Sequence, residues 1–299
     1  MSHFAVAVIT DGTSSIDDLL APYQENCCSE PPKEYMEFYE TEPDDRHEYH
    51  TGSVEFVLTD DNELLSPYNE LFRVEGFKGS YGCNTHKVPD NLKRVSIPYT
   101  LLFGSFDEYM TSWRGEHRDA DTGRYGYWQN PNAKWDWFMV GGRFRGSVRA
   151  VDGGRVEPPE FDSRIRPRPY KYKDDEYDQA KLGDLVFDVD AELYKRAVDE
   201  WRVFVDGESV EGVERPFFKR EYYIDRFVTC ENYARLRSTQ WYRAVVTPDG
   251  KWHEVGEMLW WGITSEKGNS IVEWADKFKE RFIDPYPSYY LLTVVDCHI

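Results

Sequence analysis

Two short stretches constrain this chain more than any other: Phe4-Ala5-Val6-Ala7-Val8-Ile9 near one end and Tyr289 to Val295 near the other. Unbroken apolar runs of this length read as strands covered on both faces, not as half-exposed strands with alternating polarity. Asp11-Gly12 closes the first run with a turn signal. As the two most apolar strands they belong at the centre of the sheet, next to each other, in an α+β sandwich. If they pair antiparallel, His3 and His298 emerge near the same sheet edge.

The segments between them supply helices and punctuation. Ser15 is placed to cap a short helix through Ile16, Leu19 and Leu20. Val54 to Thr59 alternates as a strand does. Ser105 with Glu108 three residues on resembles a capping box, opening a helix with Phe106, Tyr109, Met110 and Trp113 on one face and an end near Gly115. Helical spacing recurs in Ala191 to Phe204, and 216–238 reads as one or two helices. Tyr242 to Thr247 and Lys251 to Val255 flank Pro248-Asp249-Gly250 as a β-hairpin. Ile271, Trp274, Ala275 and Phe278 mark a last helix. The expectation is one α+β domain over 1–299: a mainly antiparallel sheet, helices packed on it, and irregular insertions at about 24–52, 60–95 and 152–180.

Composition narrows the function classes. Apolar residues make up 40% and aromatic residues 16% of the chain, including 10 Trp, which is ample for a core and leaves aromatics over for stacking or interfaces. A formal net charge of -19 repels nucleic acid and anionic membranes at long range while leaving room for a local basic pocket. No apolar run reaches the roughly 20 residues of a membrane span, and no signal-like segment opens the chain, so a cytosolic protein is expected. The five Cys, an odd number, read as reduced thiols. There is no P-loop, dinucleotide-binding glycine pattern or nucleophile elbow.

The stretch with the most chemistry is Asn130 to Gly146, NPNAKWDWFMVGGRFRG. Asn130-Pro131-Asn132 is a turn, Trp135 to Val140 a strand, and Gly141-Gly142 a break that lets another group approach the backbone. Alternation puts Trp135 and Trp137 on one face and Asp136 on the other. Lys134, Trp135, Asp136, Trp137, Gly141, Gly142 and Arg143 are therefore candidates for holding a planar anionic ligand, with Arg143 as the guanidinium fork. The bland alternative is a hairpin with core Trp and solvated Arg. Lys181 and Asp184 in Gln179-Ala180-Lys181-Leu182-Gly183-Asp184, and Trp260 and Trp261 in the apolar Met258 to Gly262, are further ligand-binding candidates.

Catalytic candidates are His298, Asp296 and Asp136. Asp296 and His298 share a face at alternating positions, whereas Cys297 points the other way, which argues against a Cys-His pair within that tripeptide. His47-x-x-His50 with Cys83-x-x-His86 superficially matches a zinc site, but the ligand order is unusual and two unrelated loop clusters is the preferred reading. No cofactor is expected.

Blocks along nearly the whole chain carry a resemblance: MSHFAVAVIT and LLAPYQEN, then NPNAKWDW with GGR, QAKLGD, GEMLWWG and LLTVVDCHI. In order and content they are similar to a widespread family of bacteriophage-encoded proteins usually labelled hypothetical. The resemblance implies a phage product acting in the host bacterial cytoplasm, and it carries no established activity. This chain departs at 152–176 and 205–240. Three readings follow. The first is a protein that binds a small, nucleotide-like anionic ligand, such as a host defence signal, without turning it over. The second is a hydrolase or nucleotide-modifying enzyme using His298 with Asp296 or Asp136. The third is an acidic inhibitor of a host protein. Self-association stays open.

Overall fold

The computed structural model describes residues 3–25, 31–78, 84–156, 170–256 and 270–299. They form two compact units, one from Met1–Met36 with Asn130–Ile299 and the other from Glu37–Gln129.

The first unit is organised on a mixed, mostly antiparallel sheet of six strands, which we label β1 (His3–Thr10), β2 (Trp137–Val140), β3 (Gln179–Lys181), β4 (Ala244–Val246), β5 (Trp252–Glu254) and β6 (Leu291–His298). β1 and β6 are the two apolar runs. They pair antiparallel along their full length, from Thr10 opposite Leu291 to His3 opposite His298. The two strands are neighbours at the centre of the sheet, and the two histidines do meet at one edge. β4 adds to β1 in parallel, and β5 returns from it antiparallel as the predicted hairpin. The free side of β6 is shared: β3 pairs with its first half, at Leu291 to Thr293, and β2 with its second, at Val295 to His298.

Both faces of this sheet are covered, which is why its central strands are apolar over most of their length. Ala7, Ile9, Val245, Leu292 and Val294 pack under the helices Ser270–Asp276 and Phe278–Phe282 through Ile271, Trp274, Phe278 and Phe282. Val6, Val8, Ala244, Val246, Val295 and Cys297 form the opposite face with Leu19, Leu20 and Trp135. Leu19 and Leu20 lie on the short helix Ile16–Leu20, whose Ser15 and Asp18 complete a reciprocal cap. Helices Ala191–Phe204, Arg220–Phe227 and Cys230–Ser238 bury a separate cluster around Trp201, Tyr223 and Tyr233.

Where the sequence suggests insertions at about 24–52 and 60–95, much of the chain belongs to the second unit. Helix Glu42–Thr51 and the antiparallel strands Ser53–Leu58 and Lys93–Pro98 lie there. Its main core is Tyr49, Tyr99, Phe106, Tyr109 and Tyr125, five aromatic residues, with Met110 among them. Ser105 caps the helix Phe106–Glu108 by accepting from the Glu108 amide, while the Glu108 carboxylate turns to the amide of Gly104, so the reciprocal half of the expected box is missing. The chain then widens into a π-helical turn, Tyr109–Arg114, that ends in left-handed Gly115. No helix among the described residues is long and apolar enough to cross a membrane.

Two outcomes follow from this packing. Leu292→Ala, at a fully buried position in the central strand, should cost about 2–5 kcal/mol in denaturant unfolding. Tyr109 is buried with no hydrogen-bond partner for its hydroxyl among the described residues, and burial, then Glu48, pushes that hydroxyl up to about 12 from an ordinary 10.0. The unfolded chain therefore ionises first, and stability should fall as pH rises from 10.0 through about 12. Tyr109→Phe should flatten that fall in a pH series of melts and leave neutral-pH stability unchanged or higher.

Candidate functional site

The face of β1 and β6 that packs under the two C-terminal helices changes character along its length. Ile9 lies opposite Leu292 and Ala7 opposite Val294, both apolar pairs; Ala5 then lies opposite Asp296, and His3 opposite His298. β2 extends these rows on the other side of β6, with Met139 beside Asp296 and Trp137 beside His298. A buried apolar face thus ends in a polar corner.

Asp136, just before β2, completes the corner. The chain bends there, so the alternation expected through Trp135 and Trp137 is broken. Trp135 packs on the opposite face of the sheet with Val6, Val295 and Cys297, and its indole N–H donates to the Leu20 carbonyl at 3.1 Å. The two Trp therefore do not share a face: Trp135 is core and Trp137 belongs to the corner. Asn130 holds the approach to this bend. It is buried, donates from Nδ2 to the carbonyls of Pro22 and Gln24 at 2.9 and 3.0 Å, and accepts from the Asn132 amide at 2.9 Å. Lys134 is spent on an ion pair with Glu254 at 2.9 Å.

Within the corner, His298 Nδ1 lies 2.6 and 2.8 Å from the two carboxylate oxygens of Asp136. The Asp136 amide also donates to the His298 carbonyl at 2.9 Å. His3 Nδ1 lies 2.9 Å from Asp296 Oδ1. The histidine rings meet edge to face with centroids 4.9 Å apart. Trp137 stacks on His298 at 5.1 Å and 17° and meets His3 edge-on at 5.3 Å. Side-chain exposure of these four polar residues is only 3–9%. Two carboxylate–imidazole pairs under one indole are thus assembled from β1, β2 and β6, a geometry suited to moving protons. Among the described residues no group of three or more His, Cys, Asp or Glu is placed to hold a metal ion.

The Gly-Gly break supports this corner from below. The close approach expected there is made by the protein's own carboxylates. A Cβ on Gly142, at φ +51, would collide with the Asp296 side chain, and one on Gly141, at φ +70, would sit 3.2 Å from the Asp178 carboxylate. The Arg143 amide donates to Asp296 Oδ2 at 2.9 Å, so the second oxygen of that carboxylate is fixed while the first faces His3. Asp178 is fully buried and accepts from the amides of Gly146 and Val156 and from the Tyr172 hydroxyl. Burial, then the Asp178 carboxylate, pushes that hydroxyl up. Arg143 works here through its backbone, and its side chain is exposed.

No protein-family model matches the chain, and neither the curated proteins nor the solved structures supply a match.

The other candidate residues do not converge on the corner. Lys181 pairs opposite Leu291, seven residues from His298 along β6, or about 23 Å at strand spacing; Asp184 follows in the next turn. Burial, then the charges of Asp296 and Asp136, raises the Cys297 thiol, which faces the opposite core. His47 and His50 are exposed on helix Glu42–Thr51 of the second unit, and His86 lies on strand Asn84–His86 there. Trp260, Trp261 and Cys83 lie outside the described residues. The residue that sequence reasoning left off its candidate set is His3. Its signal was the antiparallel pairing itself, which places it beside His298.

Gly142→Ala should push Asp296 off its seat. We expect a loss of roughly 1–3 kcal/mol in denaturant unfolding, together with a change in the His3 imidazole NMR signals larger than that at His298. Unchanged His3 signals would show that the glycine does not hold this carboxylate in place.

Proposed function

We propose that this protein binds a small, anionic, nucleotide-like molecule and acts on it by acid–base chemistry at His3 and His298. The observation that carries the reading is the pair of buried carboxylate–imidazole contacts, Asp136–His298 and Asp296–His3, in one corner. Both rings give Nδ1 to a carboxylate, and no described residue hydrogen-bonds either Nε2. A histidine held in this way has one nitrogen for orientation and one for chemistry. For the ligand class, the support is Trp137 as a flat wall and the exposed Arg143 side chain on the turn that grips Asp296. The similarity of its sequence blocks to bacteriophage-encoded proteins makes the host bacterial cytoplasm the proposed setting, and a host nucleotide signal the proposed ligand.

This order reverses the preference drawn from sequence, where binding without turnover came first. Trp135 is a core residue and Lys134 is paired, so the stacking-and-clamping surface is smaller than expected, while the acid–base machinery is larger by one histidine.

The test is a panel of linear and cyclic nucleotides incubated with the full chain, followed by mass spectrometry and, in parallel, thermal shift. At least one member should be consumed, and His3→Ala and His298→Ala should each slow that turnover by about 100-fold or more while remaining folded by circular dichroism. A thermal shift with no product returns the protein to sequestration. Neither shift nor product removes the ligand class.

A further inference from the structure

We infer that Asp136 and Asp296 are positioning residues that hold both histidines as the Nδ1–H tautomer, so that the two Nε2 lone pairs are the working atoms of the site. The inference rests on the acid–base reading above and goes further by naming the atoms and the residues that prepare them.

An ionised carboxylate has only lone pairs to offer. The nitrogen facing it at hydrogen-bond distance must carry the proton, and that nitrogen is Nδ1 in both rings: 2.6 and 2.8 Å from Asp136 at His298, and 2.9 Å from Asp296 at His3. A neutral imidazole carries one proton, so placing it on Nδ1 leaves Nε2 with its lone pair exposed to a reactant. The Asp296 carboxylate is itself fixed, and the backbone that carries Asp136 is anchored. Asp136 is tied back through its amide to the His298 carbonyl, and Asp296 is tied through Oδ2 to the Arg143 amide over Gly142. Asp296 cannot rotate to release His3 without breaking its contact with the Arg143 amide, whereas the amide of Asp136 anchors the backbone from which its carboxylate reaches His298. The two rings meet edge to face with centroids 4.9 Å apart, so both prepared imidazoles belong to one corner.

The two pairs are not equivalent. Asp136 offers both oxygens to His298, and Trp137 lies flat on that ring. Asp296 divides its oxygens between His3 and a backbone amide, and Trp137 meets His3 only by its edge. By the Trp137 contact alone, stacked on His298 and edge-on to His3, His298 is the more firmly oriented of the two.

The experiment is a long-range proton–nitrogen correlation spectrum of the uniformly ¹⁵N-labelled full chain at mildly alkaline pH, where the tautomers differ in which ring nitrogen bears the proton. His3 and His298 should both show protonated Nδ1 and bare Nε2, while the exposed His47 and His50 show the Nε2–H form favoured by an unconstrained histidine side chain. Asp136→Ala should move His298 to the Nε2–H form and leave His3 in place, and Asp296→Ala should do the reverse. An Nε2–H signal at either ring of the unmodified protein overturns the inference, as does an alanine variant that leaves its partner ring unchanged. If a variant does not fold, the spectrum of the unmodified chain decides alone. The readout needs no ligand. Nδ1–H rings without nucleotide turnover would retire the proposed function and keep this assignment; turnover with Nε2–H rings would do the opposite.

Discussion

The antiparallel register between β1 and β6 is the constraint from which the rest of the first unit follows. It places Ile9 on Leu292 and Ala7 on Val294, which builds the core, and by the same count it places His3 on His298. Side chains alternate across a strand, so a slip of one residue would send the histidine and aspartate of β6 into the opposite face, which packs Val6, Val8, Val295 and Cys297 against Leu19, Leu20 and Trp135. The energy that fixes this register is hydrophobic and comes from the apolar rows. The polar corner inherits its geometry from them.

The corner is also a case of buried polar groups finding partners within the chain. Two glycines make room for two carboxylates, Asp296 at Gly142 and Asp178 at Gly141, and backbone amides of the same turn receive them. Leaving such a carboxylate unpaired would be costly. The turn and the carboxylates therefore specify each other, which explains why so short a stretch holds so many unusual residues.

Much of the fold was legible in the sequence because its strongest signals were local. Continuous apolar runs identify strands covered on both faces, Ser15 a helix start, and Pro248-Asp249-Gly250 a hairpin turn, and each is found where its residues put it. Asp136, Asp296 and His298 were legible as chemistry, and antiparallel pairing brought His3 to them. What was not legible depended on tertiary context. The bend at Asp136 separates two Trp that alternation would place together, and the surroundings of Trp135 make it core. The glycine break announced a close approach without saying what approaches. In the second unit the strand near Val54 and the helix start at Ser105 were legible, but 24–52 and 60–95 were read as loop and irregular chain because the core there is built from aromatic side chains dispersed along the sequence.

The contact between His3 and Asp296 spans 293 positions of sequence. Contacts of such separation form late, because the entropy of closing the chain must be met before they contribute. The corner therefore has no local precursor: His3 gains its carboxylate only when β6 docks beside β1, and His298 gains its own only when β6 docks beside β2. Completion of the sheet and assembly of the corner are therefore the same event.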